Sequence, residues 1–260
     1  MSLQREEFIE FANLSFFQLG WFFMLLEEMS WNIVEEILET VKTIILPYGS
    51  CEAHGFHAPL FTDTKIAFEI VNKAAEELNI FVAPVIPYGI CRTTRGFSGT
   101  LSLSFDSLKI LTYDLIKELA ETGFEEIILF TGHCGKSQMI ALREAGFSYT
   151  KNSTKSKVFL VSAADLVDER VKKLTDSPLY HADELETSLM LFLTPSLVKM
   201  DKAVKEFPKV PKYLIKTTGR PWMKSSVLGD ATKASYEKGE KIFNLLVDNL
   251  VQIVKDFQTQ

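Results

Sequence analysis

Short runs of β-branched and aromatic residues alternate along the chain with longer stretches in which apolar residues recur every three or four positions. The short runs are typical of buried strands, and the longer stretches are typical of amphipathic helices. The predicted strands are residues 42–48, 80–86, 126–132 and 157–163. The predicted helices between them are residues 65–78, 107–122 and 136–150. This alternation predicts βαβ units and an α/β fold with a mostly parallel sheet.

The two ends of the chain carry apolar segments of different kinds. Near the C-terminus, helical spacing predicts a closing helix with one stripe facing the core, formed by Ile242, Phe243, Leu246, Leu250, Ile253, Val254 and Phe257. Residues 16–26 are also apolar, but the run is about half as long as the roughly 20 residues of a membrane-spanning helix. We therefore predict no membrane partner. We interpret residues 1–23 as an N-terminal extension, either an interface helix or a segment outside the domain, and residues 24–260 as a single domain.

Composition and charge narrow the classes of partner. A chain of 260 residues without a Pro-, Gly- or Ser-rich linker is expected to form one large domain. Its net charge of -6, with no cluster of lysine and arginine, argues against nucleic acid as a partner. The cysteines Cys51, Cys91 and Cys134 lack CxxC spacing, so neither a disulfide framework nor a zinc knuckle is expected. Their reduced state favours a cytoplasmic location.

All four histidines, which are His54, His57, His133 and His181, lie in loop-like stretches at the ends of predicted strands or helices. A single histidine is as often a structural residue as a functional one, but four beside acids and glycines point to a site. Ligands of parallel sheets gather outside the carboxyl ends of the strands. The loops after the first and third predicted strands are therefore expected to face one pocket.

The stretch "LPYGSCEAHGFHAPLFTDT" (residues 46–64) carries the densest set of candidate ligands. Glu52 and His54 are two positions apart, so in an extended segment their side chains point to the same side. Asp63 precedes a helical run and is expected to be its N-cap, although the two oxygens of its carboxylate could also bridge two metal ions. Imidazoles and carboxylates without thiolate suit zinc, manganese or iron at a catalytic site with an open position.

The stretch "YHADELETSLML" (residues 180–191) adds two further candidates. Its acids Asp183, Glu184 and Glu186 are also explained by the first turn of a helix, where the macrodipole favours negative charge. Alternatively, Glu186 is a metal ligand, and His181 donates a proton to a leaving nitrogen as a general acid.

Together these stretches resemble the motifs of the creatininase (creatinine amidohydrolase) family. The first motif resembles residues 46–64, the second resembles "TGHCGK", and the third resembles "HADELETS". Weaker similarities are "GFSGTLSLS" and "SVLGDATKASYEKGEKIF". The resemblance extends over about residues 24–257 and implies a three-layer α/β/α sandwich, assembled as a homohexamer, that binds two divalent metal ions (zinc, manganese or iron).

The resemblance also assigns roles to individual residues. It implies a hydroxide, bridging the two metals, that attacks a non-peptide carbon-nitrogen bond of a small cyclic amide or formamide. One metal would be held by Glu52, Asp63 and His133, and the other by His54, Asp63 and Glu186. His181 would protonate the leaving nitrogen, and His57 would orient a ligand or the loop.

Several residues depart from the family pattern and leave the substrate open. Cys134, Lys136 and Asp183 replace residues of the second and third motifs, and no tryptophan lies near the third motif, which argues against creatinine. Arg92, Arg95 and Lys136 could bind a carboxylate or phosphate, or could be solvated loop charges.

Four alternatives to a metal-dependent hydrolase of a creatinine-like amide therefore stay open. The first is a formamide hydrolase that acts on a phosphorylated pyrimidine-type substrate, and the second is an enzyme that trims small peptides. The third is a metal-free hydrolase with Cys134 as nucleophile beside His133. The last is a catalytically silent, ligand-binding paralogue.

Overall fold

A computed structural model gives the structure of residues 24–209, 211 and 213–259. Four parallel strands form the central sheet, namely β1 (Thr43–Tyr48), β2 (Phe81–Val82), β3 (Glu126–Thr131) and β4 (Lys157–Ser162). Their spatial order is β2-β1-β3-β4. Strand β2 is shorter than the predicted segment 80–86, because Pro84 cannot donate a backbone hydrogen bond to a ladder.

Seven α-helices surround this sheet in the described part of the chain. They are α1 (Trp31–Ile37), α2 (Thr62–Leu78), α3 (Phe105–Thr122), α4 (Lys136–Thr150), α5 (Glu169–Lys172), α6 (Glu184–Leu193) and α7 (Tyr236–Gln258). The three predicted helices between strands are confirmed as α2, α3 and α4, and the predicted C-terminal helix is confirmed as α7. A second, small antiparallel sheet pairs β5 (Lys205–Glu206) with β6 (Gly229–Asp230).

Alternate residues of the central strands face two separate apolar cores. Ile44 and Leu46 pack with residues of α3 and α4 on one face. Ile45 and Ile128 pack with residues of α2, α6 and α7 on the other face. Because side chains alternate along a strand, a sheet buried on both faces requires the almost continuous apolar runs that the sequence shows. The predicted three-layer α/β/α sandwich is therefore confirmed.

The strand order creates a crevice between β1 and β3. The chain leaves β1 through α2 towards β2 on one side, whereas β3 and β4 lie on the other side of β1. In open parallel sheets, such a reversal separates the loops at the carboxyl ends of the two central strands, and ligands bind there. The loops that follow Tyr48 and Thr131 are consequently placed side by side at this crevice.

The prediction for residues 1–23 lies outside the described residues, and the boundary at residue 24 stays a prediction. Among the helices that the structure describes, none combines the length and the apolar character needed to cross a bilayer.

Candidate metal centre

Five predicted ligands meet at the crevice between β1 and β3. Glu52 and His54 lie on the loop after β1, Asp63 is the second residue of α2, His133 lies on the loop after β3, and Glu186 is the third residue of α6. Glu52, His54 and Asp63 are almost completely buried, with 3%, 1% and 2% of their surface exposed. Tertiary structure thus brings together carboxylates and imidazoles from four separate segments.

Asp63 lies at the middle of this cluster. Its Oδ1 is 3.1 Å from Nε2 of His54, and its Oδ2 is 3.0 Å from Nδ1 of His133. Ser50 donates a hydrogen bond of 2.7 Å to Oδ2. The prediction that Asp63 is a helix N-cap is wrong, because α2 begins at Thr62 and the N-cap position is occupied by Phe61. The Asp63 carboxylate is directed at other side chains, with one oxygen towards each histidine.

The donor atoms form two groups on either side of Asp63. In the first group, Oε2 of Glu52 is 2.9 Å from Nδ1 of His133, and the Cys91 thiol completes a set whose ligand atoms lie within 4.8 Å of one another. In the second group, the ligand atoms of His54, His181 and Glu186 also lie within 4.8 Å of one another. The predicted general acid, His181, therefore lies within reach of a metal held by the second group.

Backbone carbonyls orient three of the imidazoles. Nδ1 of His54 lies 3.0 Å from the Glu52 carbonyl, Nε2 of His133 lies 3.2 Å from the Ile90 carbonyl, and Nε2 of His181 lies 3.0 Å from the Ala53 carbonyl. A carbonyl oxygen can only accept a hydrogen bond, so each of these nitrogens carries a proton. The lone pairs of the neutral rings then lie on Nε2 of His54 and Nδ1 of His133, which face carboxylates. That donor set fits a divalent cation placed between imidazole and carboxylate.

The electrostatics of the cluster lead to the same conclusion. Burial would raise the pKa of Glu52, but the charges of His133 and His181 and the hydrogen bond with His133 together lower it to about 2. Burial would lower the pKa of His54, but Asp63 and Glu186 raise it to about 10. Protons on the imidazoles therefore offset the buried carboxylates. A metal ion would supply that positive charge in their place, because metal binding releases protons from its ligands.

A cleft of about 700 Å³ opens beside the second group. Its lining includes Glu186, Cys134 and Tyr180. The charged residues of the lining are three acids, Asp176, Asp183 and Glu186, and one base, Lys172. The cleft gives a small molecule access to the Glu186 side of the cluster.

The predicted anion-binding residues do not line this cleft. Arg92, Arg95 and Lys136 are exposed, and within the described residues none of them lies within ion-pair distance of a carboxylate. Thr94 donates a hydrogen bond to Glu52, which places the loop that carries both arginines next to the first group. Lys136 forms no ion pair with Asp183. Asp183 caps α6 and accepts hydrogen bonds from the backbone of residues 180, 185 and 186.

His57 is buried, and its Nε2 lies 2.8 Å from Oγ1 of Thr187. Thr187 follows Glu186 on α6, so this contact joins the loop after β1 to the helix that carries a predicted ligand. The position favours an orienting role for His57 over contact with a substrate.

The alternative of a Cys134 nucleophile finds no matching geometry. Nδ1 of His133 faces Glu52 and Asp63, and Nε2 of His133 faces the Ile90 carbonyl. Neither nitrogen is available as a base for the neighbouring thiol, as a nucleophile and base pair requires.

Sequence reasoning missed Gln138, which connects three strand-end segments. Its Oε1 accepts a hydrogen bond of 2.9 Å from the backbone of Ile90. Its Nε2 donates to the Gly49 carbonyl at 3.3 Å and to Oγ1 of Thr131 at 2.9 Å. Its position in the first turn of the helix after β3 is the one sequence feature that indicates a connecting role. Glutamine is not a typical metal ligand, so its residue type does not mark it as part of the site. Ser50 and Thr94 were missed as members of the cluster for the same reason, and Cys91 was missed because it lacks CxxC spacing.

The chain is similar to proteins of one known family. A family model described as "Creatininase: Creatinine amidohydrolase" matches residues 27–254. The chain is 28% identical over 252 residues to the creatinine amidohydrolase of Pseudomonas putida, covering 88% of this chain and 95% of that protein. It is 28% identical over 233 residues to a mycofactocin precursor peptide peptidase of Mycolicibacterium smegmatis, covering 84% and 86%. A solved structure described as "Creatininase Mn" superposes with a TM-score of 0.83 at 27% identity, over 90% of this chain and 98% of that one.

Proposed function

Because this chain belongs to the creatininase family, whose members are hydrolases, we propose that it is a divalent-metal amidohydrolase. The proposed reaction cleaves a non-peptide carbon-nitrogen bond of a small cyclic amide or formamide. The observation that carries the proposal is the Asp63 carboxylate, which presents one oxygen to His54 and the other to His133. This arrangement suits a carboxylate that bridges two metal ions.

The residues divide into two sets of proposed metal ligands. Glu52, Asp63 and His133 would hold one ion, and His54, Asp63 and Glu186 would hold the other. When bound, two such ions supply the Lewis acidity that polarises an amide carbonyl and activates water at neutral pH. Candidate ions are zinc, manganese and iron, all of which accept imidazole and carboxylate ligands.

His181 is the proposed general acid. The contact of its Nε2 with the Ala53 carbonyl fixes the ring and keeps a proton on Nε2, so the imidazolium form would carry on Nδ1 the proton that passes to the leaving nitrogen. The ring lies beside His54, with 4.4 Å between the two centroids, at the edge of the second group. His57 and Thr187 keep α6 in register with this loop. The loop after β1 thus orients both His181, which would protonate the leaving nitrogen, and the helix that carries Glu186.

The cleft next to Glu186 favours a neutral substrate. It is lined by three acids and a single lysine, so it offers a phosphate group little positive charge. A second candidate is an anionic formamide, such as a phosphorylated pyrimidine-type compound. It is supported by Arg92 and Arg95, which make no ion pair among the described residues. They lie on the same loop as Thr94, which donates a hydrogen bond to Glu52.

We also propose that the chain assembles as a homo-oligomer, with the hexamer of the resemblance as the expected state, in the cytoplasm. Four large apolar side chains are exposed on α3 and α4, namely Ile110, Leu111, Ile140 and Phe147. Exposed apolar surface of this kind is typical of subunit contacts. The molar mass from light scattering tests the proposal, and a monomer at all concentrations would contradict it.

The central experiment combines elemental analysis with an activity panel. Protein reconstituted with zinc, manganese or iron(II) is expected to hold about two ions per chain. The loaded protein is then assayed on cyclic amides, formamides, their phosphorylated analogues and short peptides. Failure to retain any metal would overturn the proposal. Retained metal without turnover of any compound in the panel would instead support a silent, ligand-binding paralogue. Cleavage of the peptides alone would favour the peptidase alternative.

A further inference from the structure

Cys91 is a buried thiol that faces polar groups. Only 1% of its surface is exposed, yet it belongs to neither of the two apolar clusters of the described chain. Its Sγ is part of the set in which ligand atoms of Glu52 and His133 also lie within 4.8 Å, and Ser50 lies beside it. A cysteine that serves only as a small apolar residue packs among carbon atoms. The surroundings of Cys91 are instead those of a ligand.

Three hydrogen bonds hold the backbone on both sides of this thiol. Ile90 donates its N–H to Oε1 of Gln138 at 2.9 Å, and Cys91 donates its N–H to Oγ of Ser102 at 3.0 Å. The Ile90 carbonyl accepts from Nε2 of His133 at 3.2 Å. The segment is thereby tied directly to a proposed metal ligand, so that the thiol is presented to the cluster by fixed backbone.

We propose that Cys91 is a fourth protein ligand of the ion held by Glu52, Asp63 and His133. The inference rests on the proposed function and adds a residue to its metal centre. Tetrahedral ligands at zinc bond lengths are separated from one another by about 3.3–3.8 Å, which lies inside the 4.8 Å limit of this set. On binding, the thiol releases its proton to solvent, and the sulfur lone pair forms the bond to the ion.

A thiolate makes the two groups chemically different. The first group then has four protein ligands, and neither Glu52, Cys91 nor His133 lines the cleft. The second group contains Glu186, which does line the cleft. The first group is therefore the holding site, and the second is the one that meets the substrate. Thiolate also favours zinc or iron(II) over manganese at the first group.

Cobalt(II) substitution tests the ligand directly, because cobalt reports sulfur ligation by a near-ultraviolet charge-transfer band. The unmodified protein loaded with cobalt(II) is expected to show this band, and Cys91→Ser is expected to lack it while still holding about two ions per chain. Cys51→Ser, which changes another free cysteine, serves as the matched control and should keep the band.

A second measurement needs no variant, in case Cys91→Ser does not fold. X-ray absorption of the zinc-loaded, unmodified protein should reveal a sulfur scatterer at about 2.3 Å from zinc. Two bound ions with neither the charge-transfer band nor this scatterer would overturn the assignment of Cys91 and leave the metal centre standing. Failure to bind cobalt or zinc at all would instead overturn the proposed function.

Competition between metals gives a further readout besides activity. The preference of the protein for zinc over manganese should fall about ten-fold or more in Cys91→Ser, whereas Cys51→Ser should keep it. An unchanged preference in Cys91→Ser would count against the thiolate ligand.

Discussion

Oδ2 of Asp63 lies 3.0 Å from Nδ1 of His133, so that the start of α2 contacts the loop after β3 across the crevice of the sheet. The other oxygen of the same carboxylate faces His54. One side chain thus links the two groups of proposed ligands.

Replacement of Asp63 by asparagine should remove bound metal from both groups, because an amide keeps the size of the side chain but loses its charge and one acceptor oxygen. Elemental analysis should find well under the roughly two ions per chain expected of the unmodified protein. Asp106→Asn is a matched control, since Asp106 is the second residue of α3 and is exposed. Two tightly held ions in Asp63→Asn would contradict the bridging role.

Replacement of His181 by alanine should lower kcat by about 10²–10⁴-fold, as expected for the loss of a general acid. Metal content should stay unchanged, because His181 is not one of the proposed metal ligands. Steady-state kinetics and elemental analysis on the same preparation check both points. Loss of one ion per chain in this variant would show that His181 acts as a ligand, in line with its closeness to His54 and Glu186.

Removal of metal by a chelator should lower the melting temperature, and addition of zinc or manganese should restore it. Without metal, the charged carboxylates of Glu52 and Asp63 have only protonated imidazoles to offset them, and burial raises the pKa of Glu186 to about 8. Ligand at about 100 times its dissociation constant contributes about 2.7 kcal/mol to the free energy of unfolding. Scanning calorimetry measures the shift, and Asp63→Asn should show little or none.

Gln138→Ala should destabilise the protein by about 1–3 kcal/mol, because buried groups of Gly49, Ile90 and Thr131 lose a hydrogen-bond partner. Urea denaturation provides the free energy of unfolding. Gln252→Ala, at an exposed site on α7, should change it by less than about 0.5 kcal/mol. Equal effects of the two substitutions would refute the connecting role of Gln138.

Gly239→Ala should destabilise the protein by about 1–3 kcal/mol and weaken metal binding as well. A Cβ at this position of α7 would meet the backbone carbonyl of Ser188 on α6, the helix that carries Glu186. Gly146→Ala on α4 is the control, because its Cβ would meet only Cγ1 of Val158, at 3.3 Å. The control should be neutral or stabilising, since alanine has the higher helix propensity. A neutral Gly239→Ala would show that α6 and α7 separate easily.

Local sequence was sufficient for most elements of the fold. Strands β1, β3 and β4 and helices α2, α3, α4 and α7 follow from apolar periodicity, because a sheet covered on both faces needs apolar runs and a covering helix needs one apolar stripe. Strand β2 was predicted too long, since Pro84 in its segment interrupts the ladder. The Asp63 cap was also predicted wrongly, because the N-cap position lies two residues earlier, at Phe61, and this changes which side chain can reach the backbone amides.

The sequence by itself determined the fold class and the residue types of the site, because apolar periodicity and the chemistry of imidazole and carboxylate are properties of short segments. Only the tertiary structure decided which of these groups meet. The order β2-β1-β3-β4 brings the loops after β1 and β3 together, and α6 adds Glu186 from far along the chain. The same packing places Cys91 beside the proposed ligands Glu52 and His133 and leaves Arg92, Arg95 and Lys136 outside the cleft lining. Contacts between distant segments depend on how the layers pack, which short sequence patterns do not encode.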